Sequence, residues 1–298
     1  MPQPLCREIG GLYQKITEEK DGFDTLFVLA KELGFKDKEL NRNALAQRKA
    51  IETAMRDCRE KLAPFKIVDF YGQQIHQYEA VALRKLAQEV SARVAAYSVD
   101  YIPELAYAAT AESFLRKSFE NKWIQVDNSH NVEYLDLENL PLGKIPGSLN
   151  ELDKIRILTL RNFGLAGINN IDALTRLQFL SLSGNQKISS LSGTENLLDL
   201  QFLFLNSTSI SDTKGLARFK KLRHLDLKWT PVSDIKGLLG LDKIDTLLLR
   251  QTKISDLSDF ENLPALRKLD VQVCPIDPQA NAAQIARLKA KLGGRFEI

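Results

Sequence analysis

The chain has 298 residues, 44% hydrophobic and 27% charged, an ordinary globular composition with material for one to three domains. Its formal charge of +3 argues against nucleic acid as a partner, and no run of like charges makes a basic arm or an acidic tail. Cys6, Cys58 and Cys274 are odd in number, scattered and without metal-ligand spacing, which predicts inert thiols in a reducing compartment and neither metal nor cofactor. The opening residues, MPQPLCREIGG, lack a basic region followed by an apolar one, so no secretory signal is expected there. No segment approaches the roughly 18 apolar residues of a membrane span.

Apolar residues recur at helical spacing in FDTLFVLAKEL, RKAIETAMRDCREKLA, YEAVALRKLAQEVSARVAAY and PELAYAATAESFLRKSF. Breaks fall at Gly34, from Pro64 to Gly72, and from Asp100 to Pro103. With a weaker helix around Cys6 to Lys20, the spacing predicts an α-helical bundle over 1–127. DFYGQQIHQYEA, with Tyr71, His76 and Tyr78, reads as a turn leading into a helix start. ENKWIQVDNSHN precedes the first repeat, and a solenoid end exposes core unless covered, so this segment is expected to cap it.

From Val132 the pattern L-x-x-L-x-L recurs seven times, as VEYLDL, IRILTL, LQFLSL, LQFLFL, LRHLDL, IDTLLL and LRKLDV. Its middle leucines are Leu135, Leu158, Leu180, Leu203, Leu225, Leu247 and Leu269, at steps of 22 or 23 residues. Each unit predicts a short strand, a corner and a return leg with inward apolar residues such as Val232, Ile235, Leu238 and Leu241. One unit cannot cover its own apolar side, but a stack makes a continuous core over 128–277. At the corner, Asn185, Thr208, Thr230 and Thr252 are placed to satisfy backbone groups the turn leaves unpaired. Leu140, Phe163 and Cys274 hold that slot elsewhere, so the polar ladder is incomplete. PQANAAQIARLKAKLGG, in 278–298, reads as a helix whose Ile285, Leu288 and Leu292 make one apolar stripe; a basic amphipathic helix could instead bind a membrane, but its position after the last repeat favours a cap.

The repeat half resembles the leucine-rich repeat family, in its bacterial internalin-like 22-residue class, most specifically in TSISDTKGL, TPVSDIKGL and TKISDLSDF. Repeat one departs from these, since LPLGKIPGSL looks more like the plant-type repeat. The resemblance implies a curved solenoid that binds macromolecules, usually proteins, and does not imply catalysis. The expected fold class is therefore α+β: a helical bundle, then a solenoid with parallel strands on its concave face, then a capping helix.

Strand alternation places three rows on that face. Tyr134, Phe179, Phe202 and His224 stand in the first row, Phe204, Asp226 and Asp270 in the second, and Arg161, Lys228 and Arg250 in the third. One residue on, at the strand exit, come Asn139, Asn162, Gly184, Ser207, Trp229, Gln251 and Val273. An aromatic centre of Phe179, Phe202, Phe204 and Trp229, flanked by charges, has the composition of a protein-binding hot spot. Tyr134, Arg161, His224, Asp226, Lys228, Arg250 and Asp270 complete the expected partner-binding set. The aromatics could instead be covered by the amino-terminal segment or by a second copy. Ser181 and Ser183 lie two strands from His224, about 10 Å away, which argues against a catalytic array.

The expected activity is protein binding without catalysis, by a bacterial effector or by an immunity or inhibitor protein. The expected location is the cytoplasm, or a host cell reached without a cleavable signal. The rival from another class is an enzyme whose helical part acts on a target held by the repeats.

Overall fold

The computed structural model describes residues 67–96, 108 and 110–298. The helices expected around Cys6 to Lys20, in FDTLFVLAKEL and in RKAIETAMRDCREKLA lie outside the described residues. Two compact units are distinguished: Ile67–Phe70 and Gln74–Ala80 belong to the first, Tyr71–Gln73 and Val81–Ile298 to the second.

Ile67–Phe70 (β1) and Gln73–His76 (β2) pair as a two-stranded sheet ahead of helix Gln77–Ala96 (α1). The helix start is where the sequence places it, but the hairpin is additional. Its tip is Tyr71–Gly72, with φ of 54° and 78°, and left-handed backbone at both central residues makes the tight turn that suits a hairpin's twist. The Tyr71 hydroxyl donates to Glu112 Oε2 at 2.6 Å, and its ring stacks on Phe119 at 5.8 Å. Burial, then that carboxylate, pushes the phenol up to about 12.

Helix Ala111–Glu120 (α2) is capped by Thr110, whose hydroxyl accepts from Ser113 N while the Ser113 hydroxyl accepts from Thr110 N. Ile124–Val126 (β3) then runs antiparallel to Val132–Asp136 (β4), at the amino end of the repeat strands. The strands that follow are Ile157–Thr159 (β5), Phe179–Ser181 (β6), Phe202–Phe204 (β7), His224–Asp226 (β8), Thr246–Leu248 (β9) and Lys268–Asp270 (β10). They pair in parallel, each with its neighbour in sequence, so the central leucines face one another along the whole stack. All seven are at most 1% exposed. Burying a leucine side chain contributes about 1.5–3 kcal/mol, so the ladder is the main cohesive element of the unit.

The corners behave as the residue types require. Thr208, Thr230 and Thr252 donate to the carbonyls of Leu205, Leu227 and Leu249. Asn185 goes further, accepting from the amides of Phe163 and Leu165 and donating to the carbonyls of Leu160 and Leu182, so it ties two repeats together. On the return legs Asp212, Asp234 and Asp256 each accept from the amide two residues on, fixing the turns before Lys214–Arg218, Lys236–Leu238 and Ser258–Asn262. Gly237 sits so close to the preceding leg that a Cβ there would lie 2.0 Å from Thr213 O.

Repeat one has no aspartate in LGKIPGSL. Its turn, Gly147–Glu151, is instead capped by α1: Gly147 N and Ser148 N donate to Glu89 at 2.9 and 3.1 Å. Lys85 and Arg93, one helical turn either side, bond Glu151 and the Leu142 carbonyl. The C-terminal helix Ala282–Leu292 (α3) forms with Leu288 and Leu292 buried, and Asn281 bonds back to Leu257 N and Ser255 O. Beyond it Phe296–Glu297 (β11) adds a further parallel strand to β10, so the sheet has nine strands among the described residues.

The residues following the strands share one conformation. Asn139, Asn162, Gly184, Ser207, Trp229, Gln251 and Val273 all have φ between 54° and 75°. Asparagine and glycine tolerate this region, whereas a β-branched residue at positive φ is an outlier. Val273 is 73% exposed, so replacing it removes strain and little packing. Val273→Asn should raise unfolding free energy by about 1 kcal/mol in chemical denaturation; a loss of stability would contradict the strain.

Glu89→Ala should cost about 1 kcal/mol, the usual scale of a lost cap. Burial raises the Glu89 pKa, but hydrogen bonds from Ser148 and Gly147 outweigh it, so the net direction is downward from 4.5. Its contribution is therefore full above that value and fades as the pH falls below it. A difference between wild type and Glu89→Ala that persists unchanged at pH 3 would exclude this role.

Candidate interaction face

The register carries the three predicted rows onto one face of the sheet. Phe179, Phe202, Phe204 and His224 meet there as a cluster of rings. Centroids are 6.2 Å apart for Phe179–Phe202, 5.0 Å for Phe179–Phe204, 6.3 Å for Phe202–His224 and 5.0 Å for Phe204–His224. Such pairs, tilted or stacked, hold the side chains in place before any partner arrives. Phe202 is exposed, while Phe179, Phe204 and His224 are half-buried.

Beside the rings opens a groove of about 580 Å³, lined among others by Asp136, Arg161, Phe179, Ser183, Phe204 and Lys228. One side is aromatic and the other carries hydroxyls and amides. Ser183 donates to Asn206 and contacts Ser181, so these serines are engaged with each other and with an amide.

His224 is placed among phenylalanines. Burial pushes its imidazole below the ordinary range, against the pull of Asp226 and Asp245. Its Nε2 is buried and makes no hydrogen bond.

The predicted charges divide into two layers. Asp226 and Asp270 point to the concave side, yet they are only 4% and 5% exposed. Each accepts from the backbone amide two residues on, Lys228 N and Gln272 N, and each holds a cation above it. Lys228 Nζ lies 3.3 Å from Asp226, and Arg250 bridges Asp270 at 3.1 Å and Glu297 at 3.3 Å. Burial raises the Asp226 pKa, opposed by its bonds to Lys228. Asp136 makes the same backbone bond in repeat one, to Glu138 N, and receives the Tyr134 hydroxyl at 3.3 Å. Arg161 pairs with Glu138 at 2.8 Å, apart from the other predicted cations.

Trp229 stands at the strand exit, 46% exposed. Its Nε1 donates to Gln251 Oε1 at 2.9 Å, and Lys228 Nζ sits 5.5 Å from the ring centroid. Val273, two repeats further on, is an exposed apolar residue at the same strand-exit position, outside the expected partner-binding set. Its signal in the sequence is a valine in a column otherwise filled mainly by Asn, Gly, Ser and Gln.

Among the described residues no three His, Cys, Asp or Glu side chains come together as a metal site. Nor is any described helix long and apolar enough to cross a membrane.

No protein-family model matches the sequence, and no curated protein does. Among solved structures, internalin C2 of Listeria monocytogenes is 27% identical with a TM-score of 0.45, over 49% of this chain and 66% of that one. A second Listeria monocytogenes internalin, inlF, is 23% identical with a TM-score of 0.44, over 51% and 52%. A leucine-rich repeat protein of Leptospira interrogans is 27% identical with a TM-score of 0.48, over 54% and 42%. This chain thus spans less than two-thirds of the length of each. In the C-terminal half, strands recurring every 22–23 residues and paired in parallel from β4 to β10 make a leucine-rich repeat architecture.

The neutral His224 makes acid sensitivity a direct test. Above the ordinary value of 6.5, wild type and His224→Phe should differ by a pH-independent amount. As the pH falls below it, the unfolded histidine takes up a proton that the folded one resists, so wild type loses stability relative to the variant. Urea unfolding at pH 8 and pH 5 reads this; an unchanged difference would rule it out.

Proposed function

We propose that this protein binds a partner protein through the concave face of its repeats, with Phe179, Phe202, Phe204 and Trp229 as anchors. The observation that carries this reading is the ring cluster. Four rings on three neighbouring strands hold one another at 5.0–6.3 Å, and Phe202 faces solvent at 38% exposure. Pre-ordered aromatics lose little entropy on binding, which is why they dominate interface energetics.

Lys228 and Arg250 would orient the partner, and Asp226 and Asp270 would act by holding those cations in place. Tyr134 and Arg161 would mark the amino-terminal limit of the footprint. Polar partners of Ser181, Ser183 and Asn206 favour recognition over hydrolysis, because the hydroxyls bond amide and hydroxyl groups and the histidine stacks on rings. An effector acting on a host protein and an immunity protein occluding a toxin would both use such a face.

Affinity capture with the intact chain and with Phe204→Ala plus Trp229→Ala tests the proposal. Each anchor removed should weaken binding by about 30-fold. Recovery of the same proteins in equal yield by both forms would mean that the concave face is not the binding surface.

A further inference from the structure

Three of the seven strand-exit residues, Asn162, Gly184 and Ser207, line the groove, and the row runs on from them as a rim to Trp229, Gln251 and Val273. Their backbones continue the ladder past the strands: Ser207 N donates to Lys228 O, Trp229 N to Arg250 O and Gln251 N to Gln272 O. Side chains on this rim are therefore neighbours from repeat to repeat. All seven are left-handed, but residue type changes along the row. Asn139, Asn162 and Gly184 suit the conformation, whereas Trp229 and Val273 do not. Backbone strain is retained where something other than stability selects the side chain.

Two further observations converge on the same end of the rim. Trp229 and Val273 are among the exposed large hydrophobics, at 46% and 73%. The indole is also fixed, by Gln251 on one side and Lys228 on the other. Charge is layered in the same place. The carboxylates of Asp226 and Asp270 are 6% and 7% exposed, while Lys228 and Arg250 above them are 24% and 38% exposed. Lys253, two residues beyond Gln251, is exposed and has no ion pair among the described residues. Among the described residues Glu297, 34% exposed, is the one open carboxylate beside them and pairs with Arg250 and Lys268, so the outermost layer is apolar with cations in excess over that single acid.

On the reading that the repeats bind a protein, we propose that the footprint centres on this rim in repeats five to seven. Its occupant is an acidic segment of a partner protein carrying an apolar anchor, with the anchor seated against Trp229 and Val273 and its carboxylates facing Lys228, Arg250 and Lys253. Charge complementarity selects this occupant over a second copy of the chain. A twofold contact through the same rim would set these cations against themselves.

The test uses the full chain and fluorescently labelled short peptides of defined composition: acidic with tryptophan or leucine, the same sequence with lysine for each acid, acidic without an apolar residue, and apolar without charge. Phosphatidylserine vesicles form a separate arm. The acidic apolar peptide should bind at least about tenfold tighter than its lysine counterpart, with the margin shrinking as salt is raised. Trp229→Asn and Val273→Asn should each weaken it about tenfold. Val273→Asn relieves backbone strain, so its loss of binding should come with an unfolding midpoint no lower than wild type. Lys253→Glu should weaken the acidic peptide and strengthen the lysine one.

Equal or better binding of the lysine or uncharged peptide would overturn the inference, as would no peptide binding at all. Vesicle binding lost in the same variants would assign the rim to a membrane surface and overturn it too. If both Asn variants keep full affinity while Phe204→Ala loses it, the rim inference fails and the concave-face reading stands. If none of the three changes affinity, both fall.

Discussion

Everything in the repeat unit depends on in-register pairing of its strands. Leu135 to Leu269 face one another one to one, and the rows on either side inherit that alignment. At strand spacing of roughly 4.8 Å, residues 22 or 23 apart in sequence become contact neighbours. A one-residue slip between two repeats would turn their leucines outward and divide the ring cluster at the same moment. Core and ring cluster are thus two readings of one constraint, because the alternation that buries Leu180 and Leu203 also sets Phe179 beside Phe202 and Phe204.

This is why the leucines, the concave rows and the corner residues were legible in the sequence. A repeat turns a local pattern into a spatial one with few free choices. What was not legible depended on quantities the pattern does not contain. Strand alternation gives the direction of Asp226 and Asp270 but not their depth, and depth follows from the backbone bonds to Lys228 N and Gln272 N. The exit residues fall in one row of the sequence, yet a dihedral cannot be read from a column that includes tryptophan and valine. The cap on repeat one comes from Glu89, 58 residues from Gly147, and nothing local announces it. The missing aspartate in LGKIPGSL was visible only as a departure from its neighbours. The β1–β2 hairpin had only a weak signal, the Tyr71–Gly72 pair after IVDF, because the following QQIH is mostly polar and runs straight into the helical pattern.

The two ends of the repeat unit solve the same problem by different chemistry. At the amino end, β3 adds an antiparallel strand, and α1 contributes Lys85, Glu89 and Arg93 as a polar stripe on the first return leg. At the carboxyl end, α3 covers the core with Leu288 and Leu292, while β11 extends the sheet and Glu297 joins the Arg250 and Lys268 ion pairs. The carboxyl cap therefore reaches the concave face directly, holding Arg250 in position as well as closing the core.

That connection bears on how the proposed interaction face would divide its labour. In repeats three to five the surface is made of rings that support one another, and removing one loosens its neighbours. Toward repeats five to seven it is made of cations standing on buried carboxylates, with Trp229 and Val273 held on strained backbone beside them. Aromatic packing is short-ranged and insensitive to salt, whereas the cationic layer acts over roughly a Debye length, about 8 Å at physiological salt. A partner would therefore be steered first to the carboxyl-terminal end and retained by the rings. The strain at Trp229 falls at that same end, where left-handed backbone carries an exposed indole at the strand exit.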